Sequence, residues 1–200
     1  KIDVVIDEVH GMPFFAKFYV KEKVVALVCE VADDIWFRMF SFPWNIAGWI
    51  LERIYLLLYR TVPIITISES TKKELMRTGI SQKKITVLPM GINTVMIKKV
   101  KKERKPTIIF VGRLNKMKGV EDAMIAVSRA MKKINNLQLW IVGRGEEAFV
   151  KHLKKRAKEK KITTTFWDFV SEQKKFELMA RAHAIIVPSV REGFGLIVPE

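Results

Sequence analysis

Glu192 and Glu200 are two carboxylates with seven residues between them, and the intervening stretch opens Gly193-Phe194-Gly195-Leu196. An apolar run, Ala184-Ile185-Ile186-Val187, and the pair Pro188-Ser189 precede them. That order reads as strand, loop and the start of a helix. Glycines let backbone N–H groups approach a ligand closely, and a helix N-terminus attracts phosphate. Charged carboxylates accept hydrogen bonds from hydroxyls strongly. Glu192 in the loop and Glu200 in the first helical turns are placed to grip hydroxyls at two ends of one extended ligand. A ligand with hydroxyls at both ends and phosphate between them is a nucleotide-sugar. Taken alone, the same residues also fit solvated acids around a plain turn, so the rest of the chain must decide.

A second constellation lies upstream. A strand ends at Val111, a helix begins near Gly119, and Gly112, Arg113 and Lys118 sit in the connection. Two cations beside a helix N-terminus make an anion site. Gly143-x-Gly145-x-x-Ala148 also follows a strand and opens a helix, and Asp168 follows the next strand. This is the spacing of a dinucleotide fingerprint, so an NAD-binding oxidoreductase domain is a rival reading. A plain glycine turn is the preferred account, because another complete βα unit precedes the motif and the dinucleotide reading leaves Gly193-Phe194-Gly195 unexplained. Asp33-Asp34 are adjacent, without metal-ligand spacing, and read as helix surface.

The elements that must position these groups alternate apolar strands with amphipathic helices, which points to parallel α/β layers. Strands are expected at residues 4–6, 24–28, 64–67, 85–88, 108–111, 137–142, 163–166 and 184–187. Helices are expected at 45–59, 71–77, 120–134, 146–160 and 172–182. The helix after Gly119 is the clearest, with Val120, Met124, Val127 and Met131 at helical spacing and Glu121 and Asp122 in its first turn. Residues 98–106, which include Lys98, Lys99 and Pro106, read as a linker. The expected fold is therefore α/β with two Rossmann-like domains, residues 1–100 and 101–200. The chain opens directly on a strand and stops inside a helix, so both domains are expected to be incomplete.

Of the 200 residues, 49% are hydrophobic and 28% charged, which excludes a disordered chain. The net charge is +15, of which residues 101–200 contribute +11. Such a field favours anionic partners without choosing among nucleotides, lipid and nucleic acid. The basic stretch from Lys151 to Lys161 suggests nucleic acid, but no binding module accompanies it. Cys29 is the single cysteine, so no internal disulfide is expected and a reducing compartment fits. The longest apolar tract, residues 35–59, is interrupted by Arg38, Pro43, Glu52 and Arg53, against a spanning helix. Its aromatic part, which includes Trp36, Phe37, Phe40, Phe42 and Trp44, reads as the packing of a helical excursion into the core, with a bilayer interface as the other use.

Taken together, these segments resemble retaining glycosyltransferases of the GT-B fold, especially glycosyltransferase family 4 (glycosyl transferases group 1). The stretch from Glu192 to Glu200 is similar to that family's E-x7-E signature. Phe110-Val111-Gly112-Arg113-Leu114 with Lys118-Gly119 resembles its diphosphate-binding loop, and Leu139-Trp140-Ile141-Val142-Gly143 its next strand and turn. Thr66-Ile67-Ser68-Glu69-Ser70-Thr71 and Val87-Leu88-Pro89-Met90-Gly91 resemble the end of its N-terminal domain.

The resemblance implies an acceptor-side domain followed by a nucleotide-sugar-binding domain. It implies that Arg113 and Lys118 hold the donor diphosphate beside Gly112, with Glu192 on the donor sugar. Gly193, Phe194, Gly195 and Leu196 would line sugar or phosphate, and Glu200 would accept from the ribose hydroxyls. Glu192, Arg113 and Lys118 would be the groups acting in transfer, with no protein nucleophile. No cofactor and no metal are implied; the donor would be a UDP-, GDP- or ADP-sugar. The acceptor would be a glycan, a lipid-linked molecule or a small molecule, with no nucleic acid partner. A cytoplasmic protein at the inner face of the membrane would fit, and the charge allows peripheral contact with anionic lipid. Two positions depart from the family pattern. Cys29 stands where a His commonly contacts the donor sugar, and Trp167-Asp168 precede Phe169-Val170 where a Gly is common, in a loop that often faces the base. Either His10 or another group substitutes, or transfer is impaired, or Cys29 is not the matching position; His152 and His183 read as helix-surface or helix-end residues.

Overall fold

The computed structural model describes residues 1–92 and 100–199. They form the expected α/β fold, with two parallel four-stranded sheets. Lys1–Gly91 with Glu192–Gly195 make one compact unit, and the described residues of Ile92–Arg191 with those from Leu196 onward make the other. Lys98 and Lys99 of the expected linker lie outside the described residues.

In the first unit, β1 (Val4–Glu8), β2 (Lys23–Val28), β3 (Ile64–Thr66) and β4 (Ile85–Val87) pair in sequence order. Between β2 and β3 come the short α1 (Ile35–Met39) and the long α2 (Trp44–Tyr59), and α3 (Glu69–Arg77) joins β3 to β4. Ser68 starts α3 by accepting a hydrogen bond from the Thr71 N–H at 3.2 Å, as an N-cap serine should. Ala26, Val28, Leu56, Tyr59, Ile64 and Leu75 form the core. A completely buried side chain of this kind contributes about 1.5–3 kcal/mol.

Two carboxylates are buried in this unit. Asp7 accepts from the Phe14 and Ala16 N–H groups at 3.1 and 2.8 Å and from the Tyr59 hydroxyl. Glu52 accepts from the Ala32 and Asp33 N–H groups at 2.7 and 2.8 Å. Each buried charge thus meets the donors that burial requires.

In the second unit, β5 (Thr107–Val111), β6 (Gln138–Val142), β7 (Thr164–Trp167) and β8 (Ala184–Ile185) are ordered β7-β6-β5-β8. The helices α4 (Val120–Ala130), α5 (Glu147–Glu159) and α6 (Glu172–Arg181) connect them. Both faces of the sheet are apolar, as parallel sheets require. Phe110, Leu139 and Ile141 pack with Val120, Met124 and Leu153 from α4 and α5. Ile109, Trp140 and Val142 face Leu178 of α6.

The aromatic excursion departs from expectation. Phe37, Phe40, Phe42 and Trp44 are exposed rather than built into the core. Trp36 is the exception, its ring lying against Gly48, because a glycine one turn into α2 leaves room there.

Candidate functional site

The strand order of the second sheet defines where a ligand fits. Successive connections from β5 run outward to β6 and β7, and the chain then returns to place β8 on the other side of β5. In open parallel sheets, ligands bind in the crevice outside the carboxyl ends of strands at such a reversal. The loops at that edge are residues 112–119 after β5 and the segment after β8.

The first loop is shaped by a small set of local interactions. Asn115 accepts from the Lys118 N–H at 3.0 Å and closes a single 3-10 turn, Lys116–Lys118. Gly119 ends that turn at φ +67° and leads directly into α4. A Cβ on Gly119 would lie 2.2 Å from the Pro188 carbonyl oxygen, so the segment after β8 rests on the very start of α4. The Val190 N–H donates to the Met117 carbonyl at 2.9 Å and fastens the two loops together. Gly112, the exposed Arg113 and the half-buried Lys118 all belong to this first loop. The sequence flagged the cations but not Asn115, whose Asn-x-x-Lys spacing before a glycine is the signal that could have found it.

The adjoining loop after β6 packs edge to edge with the first. A Cβ on Gly143 would sit 1.9 Å from the Gly112 carbonyl oxygen, and one on Gly145 would sit 2.2 Å from that of Leu114. The Leu114 N–H donates to the Arg144 carbonyl at 2.7 Å. Backbone packing therefore accounts for the Gly143-x-Gly145 pair, and the dinucleotide reading gains no support.

Beside these loops opens a largely apolar cleft of about 370 Å³, lined among others by Val111, Gly112, Gly143, Phe169 and Val170. At its rim Arg144 Nε donates to Asp168 Oδ1 at 2.8 Å, and the guanidinium lies 5.1 Å from the centre of the Phe169 ring. The Phe169 N–H and then Arg144 hold the Asp168 carboxyl below the usual aspartate range. Phe169 itself is 71% exposed, an aromatic face that carries the Arg144 cation. Sequence reading singled out this loop as irregular; only the adjacency of β6 and β7 brings Arg144 to it.

Glu192, Gly193, Phe194 and Gly195 group with the first unit. There a Cβ on Gly193 would come within 2.8 Å of the Cys29 carbonyl oxygen. The Thr71 hydroxyl fixes that same carbonyl with a 3.2 Å hydrogen bond. The structure thus brings the Cys29 position and the glycine turn together. Burial first, then the carboxylates of Glu8 and Glu30, push the Cys29 thiol above its ordinary pKa. Leu196 lies in a turn at residues 196–199, and no helix begins within the described residues there. Glu200 lies outside the described residues.

Asp33 accepts from Trp49 Nε1 at 3.1 Å and Arg53 at 3.0 Å, and Asp34 pairs with Arg38 at 3.1 Å. His10 is exposed, and His152 pairs with Glu121 at 3.0 Å. Among the described residues no helix is long and apolar enough to cross a membrane.

Comparison with known proteins bears on the fold and the family. An uncharacterized glycosyltransferase of Methanocaldococcus jannaschii is 28% identical over 166 residues, covering 73% of this chain and 41% of that protein. Among solved structures, the lipopolysaccharide outer core galactosyltransferase WaaB aligns with a TM-score of 0.67 at 18% identity, over 98% of this chain and 53% of its own. The Anabaena protein HepE, solved with UDP and glucose, aligns at 0.69 and 16% identity, over 92% of this chain and 51% of its own. WaaG, a glycosyltransferase of lipopolysaccharide biosynthesis, aligns at 0.69 and 15% identity, over 92% and 57%. The chain therefore spans about two fifths of its curated relative (41%) and about half of these structures (51–57%). These likenesses identify the two-sheet architecture as the GT-B fold. The family described as glycosyl transferases group 1 matches residues 92–200, more than half of the sequence, and the chain belongs to that family.

Proposed function

We propose that this chain serves a glycosyltransferase that moves a sugar from a nucleotide-diphosphate sugar to an acceptor hydroxyl, retaining the anomeric configuration as expected of glycosyltransferase family 4. The observation that carries the reading is the crevice at the reversal of strand order. There Arg113 and Lys118 occupy the loop that leads into α4 and is fastened to the segment after β8. On this reading residues 1–100 are the acceptor side and residues 101–200 the donor side.

In the reaction, the bond between the anomeric carbon and the diphosphate oxygen breaks and its electron pair stays on that oxygen. The acceptor oxygen bonds to the anomeric carbon, and its proton passes to the leaving phosphate. The sugar carries oxocarbenium character as the bond opens. Negative charge grows on the diphosphate, and fixed cations and N–H donors aimed at it lower the barrier. Arg113 and Lys118 are assigned that task, beside Gly112, so the chemistry needs neither metal nor cofactor. Glu192 is assigned to the donor sugar, Gly193, Phe194, Gly195 and Leu196 to the sugar and phosphate, and Glu200 to the ribose. The apolar cleft at Phe169 suits the base of a UDP-, GDP- or ADP-sugar.

HepE and WaaB support a nucleotide-sugar donor and a glycan acceptor by analogy of fold. A lipid-linked or small-molecule acceptor fits equally, with the protein cytoplasmic and in peripheral contact with the membrane.

Thermal unfolding with UDP, GDP, ADP and NAD tests the proposal. A ligand at 100 times its Kd stabilises the native state by about 2.7 kcal/mol. For a chain of this size that is a rise in Tm of roughly 5–10 °C. One nucleotide diphosphate should give that shift, and Arg113→Ala should abolish it. A shift with NAD alone, or one unchanged in Arg113→Ala and Lys118→Ala, overturns the assignment.

A further inference from the structure

The helix α2 is apolar on both sides. Its inward stripe, Gly48, Glu52, Tyr55, Leu56 and Tyr59, is buried in the first unit. The opposite stripe, Trp44, Ile50, Leu51, Ile54, Leu57 and Leu58, is exposed. These positions follow the i, i+3, i+4 spacing of a single helix face, and no residue in the stripe is polar. Trp44 is 71% exposed and Ile54 50%. A helix that is apolar all round belongs in a core or against a membrane, and a continuous exposed apolar surface marks a docking site.

The ends of the stripe say what docks. At its start lie Phe40, Phe42 and Trp44, with Phe42 77% exposed. At its other end Lys17 reaches the Leu58 carbonyl, which brings the exposed Phe18 and Tyr19 to the same end. Aromatic side chains thus bracket an aliphatic middle, the distribution found where protein meets the bilayer interface.

Charge points the same way. The only carboxylate of α2 is Glu52, turned inward onto the Ala32 and Asp33 N–H groups. Asp33 and Asp34 are matched by Arg53 and Arg38, and Arg60 and Lys17 flank the far end. The chain as a whole carries +15. A protein partner would call for about one hydrogen bond per 100–200 Å² of interface, and the indole N–H of Trp44 is the one side-chain donor in the stripe. At 16 residues, or about 24 Å, α2 is too short to span a bilayer but suited to lie flat in its interface.

We infer that the Trp44–Leu58 face of α2, framed by the Phe40–Phe42 and Phe18–Tyr19 aromatics, inserts into the interface of an anionic lipid bilayer. This names the surface and the lipid chemistry of the peripheral contact in the proposed function, and vesicle binding requires no donor nucleotide.

The test is partition between buffer and sonicated vesicles, either pure phosphatidylcholine or an equal mixture with phosphatidylglycerol. The wild-type chain should bind the anionic vesicles and be weakened by salt. Ile50→Glu/Ile54→Glu should bind at least about tenfold more weakly while keeping the thermal shift with nucleotide. The milder Trp44→Phe should still bind but lose most of the blue shift in tryptophan emission that vesicles produce in the wild type. Equal binding by the double variant would assign any adsorption to the lysines and overturn the inference. So would a Trp44 contribution that vesicles leave unchanged, or no vesicle binding by the wild type. A concentration-dependent dimer that the double variant abolishes, without vesicle binding, would give the face to a second copy instead. Vesicle binding without any nucleotide shift would remove the donor-site reading and leave this one standing.

Discussion

Replacing Gly119 by alanine should cost stability in two separable ways. The residue sits at φ +67°, and an L side chain held in the left-handed region costs roughly 1–2 kcal/mol. The new Cβ would also lie 2.2 Å from the Pro188 carbonyl oxygen and 2.9 Å from its carbon. Both are backbone atoms, so no flexible side chain can swing aside, and overpacking of this kind costs about 1–3 kcal/mol. Against these stands the lost freedom of glycine in the unfolded chain, worth about 0.4–1 kcal/mol. The balance is a destabilisation of roughly 2–4 kcal/mol, or about 5–15 °C in Tm for a chain of this length. Two reference substitutions separate the contributions. Gly79→Ala, at φ +91° with open space around it, bears only the backbone cost, about 1 kcal/mol. Gly91→Ala meets no atom among the described residues and has no positive φ, so it should stay within about 0.5 kcal/mol of the wild type. Scanning calorimetry gives all three. The Gly119 variant should also bind the stabilising nucleotide diphosphate more weakly, because a displaced Pro188 pulls Val190 away from Met117. If Gly119→Ala costs no more than Gly79→Ala, the segment after β8 does not rest on α4 and the reasoning for the site fails.

Two further outcomes follow from buried groups. Glu52→Gln should destabilise the first unit by about 1–3 kcal/mol, because an amide offers one oxygen to the two N–H groups of Ala32 and Asp33; urea unfolding with an unchanged slope but no loss of stability would contradict that network. Cys29 should react slowly with iodoacetamide at neutral pH, since burial and then Glu8 and Glu30 raise its pKa and leave little thiolate. The folded chain holds this proton more tightly than the unfolded one. The group's contribution to stability is therefore complete below the unfolded thiol pKa and is lost as pH rises through the folded value. Alkylation as fast as that of a small free thiol would show Cys29 to be in open solvent.

Much of the second unit is legible in the linear sequence. In β5 and β6 every position after the first is apolar, which only a sheet covered on both faces tolerates. Val120, Met124 and Val127 announce α4 by their spacing, and Arg113 and Lys118 stand between strand and helix where an anion site would be. These are local signals, because strand and helix periods repeat within a few residues. Glu192 and Gly193 were legible as a turn, whereas their company, the Cys29 carbonyl held by Thr71, joins residues far apart in the chain.

The limits of such reading are equally specific. The glycines at 143 and 145 fit a dinucleotide fingerprint until the Gly112 and Leu114 carbonyls are seen against them. Arg144 meets Asp168 and Phe169 only because β6 lies beside β7. The aromatic excursion read as core packing, with a bilayer interface as the other use, since hydrophobicity says that a side chain prefers burial but not whether a neighbour is there to bury it. The sequence by itself determined the elements, their parallel arrangement and the cations of the candidate site. Tertiary structure alone decided which loops touch, which glycines are compelled to be glycine, and which apolar face was left uncovered. Those properties depend on contacts between segments distant along the chain, which no local period encodes.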